Sequence, residues 1–226
     1  VVYGPRDIQR LLMTKSKKDG SKLVARVINL GTIEAAEMAI EKGLESLALL
    51  NFASAKNPGG GFVNDQTRGQ EESLCRSSGL YSCIKDRRIY QLARDNNRKC
   101  LYHDFVIISP GVPVIKNGSG ELLVKPFEAT FLTCPAPNGK AAMDKGVKPM
   151  EIQKTMERRI DAVLAVAARH GIKNLILGAW GTGCFGGNPE HVAKAFRWAL
   201  VKFSFENVVF AITDPDKIEI FRTVFC

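Results

Sequence analysis

The chain has 226 residues, 45% of them apolar, and 32 Lys and Arg against 23 Asp and Glu give a formal charge of +9. That length suits one α/β domain with a sizeable core, and without a polar low-complexity run the composition excludes a mainly disordered chain. No apolar run approaches the ~20 residues of a membrane helix and the first ten residues carry no secretory apolar segment, so a soluble intracellular protein is expected, its charge pointing to polyanionic partners.

In chain order, "LVARVINL" (23–30) reads as the first strand, and Thr32 as the cap of the helix "TIEAAEMAIEKG", with Glu34 at the positive end of its dipole. "SLALLNFA" (46–53) is the second strand, and "QEESLCRSSGLYSCI" from Gln70 has a helical pattern. "DFVIISP" (104–110) and "EATFLTCP" (128–135) follow as strands, with "KNGSGE" (116–121) a turn between extended segments. "PNGKAAMDKGVKP" (137–149) reads as a surface loop before a long helix whose face is Ile152, Met156, Ile160, Val163, Leu164 and Ala167 and which Gly171 closes. "NLILGAW" (174–180) and "NVVFAITD" (207–214) are the last strands, joined by the crossover helix "EHVAKAFRWALVKF". Most strands are continuous apolar runs, as in sheets covered on both faces, so one mixed α/β domain over 1–226 is expected.

The six cysteines, Cys75, Cys83, Cys100, Cys134, Cys184 and Cys226, form no CxxC pair and read as reduced thiols. His103, His170 and His191 lie far apart and read as surface or capping residues, not metal ligands. Trp180 and Trp198 are expected to pack the last sheet layer against its helix.

Two glycine loops stand out. Gly59, Gly60 and Gly61 follow the second strand and would let a ligand, with phosphate a natural guest, approach main-chain N–H groups. "GAWGTGCFGGNPEH" (178–191) follows a strand and opens a helix, a geometry suited to an anion. Its Gly181, Gly183 and Gly186 fit GxGxxG, a weak fingerprint where only one strand and one short helix follow; a nucleotide diphosphate between the loops remains.

Gln70, Glu71 and Glu72 open a helix, where carboxylates also serve as plain dipole compensation. Adjacent helix residues sit about 100° apart, so the two acids cannot face one atom: one can orient a substrate while the other transfers a proton, as glycosidic cleavage requires.

Three glycines, eight residues, then Gln-Glu-Glu resembles the GGG-X(6–8)-QEE signature of poly(ADP-ribose) glycohydrolases. The flanks "LNFASAKNPGGGF" and "QEESLCRSSGLY", with "TCPAPN", "LILGAWGTGCFGGNP" and "FAITDPDKIEIFRTVF", are similar to the microbial-type branch. The resemblance implies a macrodomain-like three-layer α/β/α sandwich with a central mixed sheet. It makes Glu72 the catalytic acid that protonates the leaving ribose oxygen, while Glu71 holds hydroxyls of the same linkage. Gln70 joins the substrate-binding set, Gly59 to Gly61 lie against the diphosphate and distal ribose, and Asn57 holds that ribose. Gly181, Thr182, Gly183, Cys184, Phe185 and Gly186 form the diphosphate loop, with Phe185 on the ribose. In the insert before the acids, Arg68 meets a phosphate or, like Asp65, is a solvated charge. No metal or cofactor is implied. The expected partners are poly(ADP-ribose), ADP-ribose and ADP-ribosylated proteins as carriers, with no membrane, a monomeric state, and attack mainly at polymer ends. The alternatives are a macrodomain that binds ADP-ribose without cleaving it, and a hydrolase of mono-ADP-ribosyl linkages.

Overall fold

A computed structural model describes residues 1–13, 24–64 and 69–225. Among the described residues seven strands, β1 (Val2–Tyr3), β2 (Ala25–Ile28), β3 (Leu47–Phe52), β4 (Val106–Lys116), β5 (Leu122–Cys134), β6 (Asn174–Leu177) and β7 (Asn207–Ala211), form one sheet in the order β1-β4-β5-β3-β6-β7-β2. From β5 to β2 every neighbouring pair is parallel, whereas β4 is antiparallel to both β5 and β1.

Both faces of the sheet are apolar because its strands alternate between two cores. Ala48, Leu50, Leu175, Leu177, Val208 and Phe210 face one, and Leu49, Ile176 and Val209 the other. Helices α1 (Pro5–Met13), α7 (Pro149–Arg169), α8 (Pro189–Leu200) and α9 (Pro215–Phe225) cover the first face. Helices α2 (Thr32–Glu41), α3 (Gln70–Ser77), α4 (Leu80–Ile84) and α5 (Ile89–Asp95) cover the second. This is the expected three-layer α/β/α arrangement. A small third core under the loops joins Ala55 and Cys100 to Ala142 of the short helix α6 (Gly139–Met143).

The structure corrects several local expectations. The strand expected first is β2 and begins at Ala25, after a short β1 the sequence did not suggest; Leu23 lies outside the described residues. Thr32 does not cap α2: Gly31 is the N-cap, and the Thr32 hydroxyl instead accepts from Gln70 Nε2 at 3.1 Å. The helical pattern from Gln70 breaks at Ser78, which is extended and bridges to Val114. Residues 137–149 contain α6, capped by the Asn138 side chain. β4 and β5 outrun their expected lengths as a hairpin past the core, where only one face is covered. Trp180 is buried, but Trp198 is 60% exposed, two residues past buried Phe196 and so turned to the outer face of α8. Gly171, at φ 67, does close α7, with Gly171 N–H donating to Ala168 O and Ile172 N–H to Ala167 O. Cys75, Cys83, Cys100, Cys134 and Cys184 are free thiols, and among the described residues no helix is long and apolar enough to cross a membrane.

Candidate active site

Loops leaving the C-terminal ends of β2, β3, β6 and β7 wall a cavity of about 780 Å³. Parallel strands place their loops together at this edge, where ligands of open α/β sheets bind. The volume lies within the ~300–1,000 Å³ of small-molecule sites, room for one nucleotide-sized ligand. Ser54, Gly60, Gly69 and the two acids line it, together with Thr32, Glu34, Gly118, Asp214 and Lys217.

The acids are placed by their neighbour Gln70. The β3–β6 ladder ends at Leu49↔Ile176, so Leu50 C=O and Phe52 N–H emerge from β3 unpaired within it. The Gln70 amide takes both, donating to Leu50 O (2.8 Å) and accepting from Phe52 N–H (2.9 Å), which fixes the first turn of α3 to the strand. Gln70 lines the cavity, but its amide is engaged by the protein.

Glu71 and Glu72 are 3% and 8% exposed. Glu71 accepts from Ser54 N–H (2.6 Å), Gly59 N–H (3.2 Å) and Asn51 Nδ2 (3.2 Å). Glu72 Oε1 accepts from Gly61 N–H at 2.8 Å. The glycine loop is therefore a cradle for the carboxylates, and the amides expected to meet a phosphate meet the acids. Gly60 N–H closes the turn on Asn57 O. Gly59 and Gly60 have φ of 74 and 60°, and a Cβ on Gly60 would overlap Glu72 Oε1, while one on Gly69 would lie 2.5 Å from Glu72 Oε2. Gly60→Ala thus displaces the Glu72 carboxylate, and a misplacement near 1 Å lowers kcat/KM about a hundredfold. Steady-state kinetics beside a thermal melt check this: activity collapses while the fold persists.

Burial pushes the Glu71 carboxyl up from 4.5 to about 8, against the pull of its three donors, and neighbouring Glu72 adds to the rise. The native state then holds a proton that the unfolded chain releases above 4.5, so this contribution to stability is full below 4.5 and lost as pH rises towards 8. Glu71→Gln removes the loss. Urea unfolding at pH 5 and pH 8 is expected to show the variant gaining on the wild type at the higher pH.

The second loop divides. Ala179 to Phe185 line the cavity, Gly186 does not. Gly181, at φ 76, passes so close to the next wall that a Cβ would sit 2.7 Å from Ala136 Cβ. The Thr182 hydroxyl donates to Ala179 O at 2.7 Å. Among the described residues the N–H groups of Gly183, Cys184 and Phe185 have no protein acceptor, leaving a run of amides open to an anion. The α8 N-terminus, expected to take that anion, is closed by Asn188, whose side chain accepts from His191 N–H.

Asn57 is exposed and outside the cavity wall; Ser54 stands there instead. Asp65 and Arg68 lie outside the described residues. Sequence reasoning missed Asn51, wholly buried, which donates to both Glu71 Oε1 and Thr133 Oγ1 (each 3.2 Å). Its signal was an amide inside the apolar run "LALLNF". Burial pushes the Cys75 thiol up to about 12, so it is no nucleophile beside the acids. Among the described residues no group of three or more His, Cys, Asp or Glu could hold a metal ion.

A family profile described as the microbial-type PARG catalytic domain matches residues 1–117, which take in the glycine loop and the acid triplet. The chain belongs to this microbial-type poly(ADP-ribose) glycohydrolase family. Among solved structures, the enzyme from Thermomonospora curvata matches with 37% identity and a TM-score of 0.92 over 100% of this chain and 85% of that one. Its complex with the inhibitor ADP-HPD matches at 36% and 0.88, over 99% of this chain and 84% of that one. The Deinococcus radiodurans enzyme in complex with ADP-ribose matches at 35% and 0.89, over 99% and 92%. No curated protein sequence matches the chain. The glycohydrolase fold thus extends over the whole chain, including the second loop beyond the matched residues.

Proposed function

We propose that the protein hydrolyses the ribose–ribose O-glycosidic bonds of poly(ADP-ribose), releasing ADP-ribose, with Glu72 as general acid. The observation that carries this reading is the Glu72 carboxylate fixed by Gly61 N–H in the wall of a nucleotide-sized cavity that also holds the open amides of Gly183 to Phe185. Those amides suit a diphosphate, and the Deinococcus relative, alike over nearly the whole chain, is in complex with ADP-ribose.

In this account Glu72 gives its proton to the leaving ribose oxygen as the glycosidic C–O bond breaks, and positive charge develops on the remaining ribose. Water adds to that carbon and returns a proton to the carboxylate. Glu71, whose oxygens are held by three donors, orients hydroxyls of the linkage. ADP-ribosylated proteins would carry the polymer. The sheet takes strands from both ends of the chain, which supports one catalytic domain.

Chromatography of products from purified protein and poly(ADP-ribose) tests the reading. Release of monomeric ADP-ribose is expected. Intact polymer, with ADP-ribose still bound, would make the protein a reader.

A further inference from the structure

We propose that the exposed basic segment from Lys85 to Lys99 binds the diphosphates of the polymer on the leaving side of the scissile bond. The proposal rests on the hydrolase reading. Within these fifteen residues six cations, Lys85, Arg87, Arg88, Arg94, Arg98 and Lys99, face two acids, Asp86 and Asp95, so +4 of the chain's +9 is concentrated here. All six cations are exposed, and among the described residues none pairs with a carboxylate.

The segment and the residue after it touch two stretches that lead into the cavity. Arg94 Nη1 donates to Lys56 O (2.6 Å), two residues past the Ser54 whose N–H holds Glu71. Just past the segment Cys100 O accepts from Asn138 N–H (3.0 Å), and Lys140 N–H donates to O of cavity-lining Phe185 (3.0 Å). Arg94 thus stands against the loop whose Ser54 holds Glu71, which puts the basic surface beside the acids, and each ADP-ribose unit carries two negative charges.

The backbone is strained to present it. Arg98, Lys99, Cys100 and Tyr102 have φ of 49, 53, 69 and 61°, a left-handed run that non-glycine residues rarely adopt. Asn97 pins the turn, its side chain accepting from Cys100 N–H and its C=O from Tyr102 N–H. Cys100, Leu101 and Tyr102 point into the third core, and Arg98 and Lys99 are left outside.

The test uses the double variant Arg98→Asn/Lys99→Asn, since Asn tolerates left-handed backbone. Its KM for long poly(ADP-ribose) is expected to rise about three- to tenfold with kcat within about twofold, and the KM for the two-unit oligomer, which has a single diphosphate on the leaving side, to rise less. By analogy with single-stranded nucleic acid, the slope of log(kcat/KM) against log salt flattens by about 0.7 for each phosphate charge no longer neutralised. Arg87→Gln/Arg88→Gln, which leaves the strained turn alone, shifts the same way and decides the matter if the first variant misfolds. Polymer affinity read in a Glu72→Gln background separates this proposal from the hydrolase reading, because it needs no turnover. Unchanged polymer KM and affinity in both variants overturns it. So does a loss of duplex-DNA binding with polymer affinity intact, which would assign the face to nucleic acid.

Discussion

Glu72→Gln lowers kcat on poly(ADP-ribose) by about 10²–10⁴-fold and leaves ADP-ribose affinity within a few-fold. The amide keeps the volume of the side chain and can still present an oxygen to Gly61 N–H, the hydrogen bond that Glu72 Oε1 accepts at 2.8 Å. What is lost is the proton. Single-turnover cleavage and calorimetric titration with ADP-ribose check the two halves separately. A raised KM with kcat unchanged would mean that Glu72 contributes only uniform binding.

Arg159→Met destabilises the fold by about 3–5 kcal/mol, because it strands groups that a buried guanidinium satisfies. Arg159 is wholly buried in α7. It donates to Asp104 Oδ1 (2.9 Å), Pro135 O (2.5 Å) and Leu101 O (2.6 Å). Leu101 lies within the left-handed turn and Pro135 precedes the segment whose Lys140 supports Phe185, so one side chain anchors both. Methionine fills much of the space but offers no donor, leaving two carbonyls unanswered and the Asp104 carboxylate to Arg158 alone. Urea denaturation reads the loss. Asp104→Asn should cost less, since the aspartate is 20% exposed and the guanidinium keeps its two carbonyls.

The layers were legible in the sequence because strands buried on both faces are written as unbroken apolar runs, as in "LALL" of β3 and "LIL" of β6. The acids and both glycine loops were legible as well, through residue types that few local structures need together. Their partners were not. That Gly59 and Gly61 donate to carboxylates, and that Gln70 completes the end of β3, depends on where a helix lands against a strand. Asn51 was overlooked because its neighbours, Leu50 and Phe52, make it read as one more strand position. Asn57 is the residue type that the family resemblance asks for after this strand, but the chain turns at Ser54 and leaves Asn57 exposed, outside the cavity wall. The break at Ser78 has a tertiary cause: the long β4 hairpin offers Val114 as a bridge partner, from a strand far away in sequence.

The most direct test compares the wild type with Glu72→Gln on two ADP-ribosyl linkages, one with a ribose leaving group and one with 4-nitrophenolate, which departs without protonation. If Glu72 is the acid, the large defect on the ribose linkage shrinks by about 10²-fold or more on the nitrophenyl linkage. An equal defect on both would contradict the account and leave Glu72 a role in positioning alone.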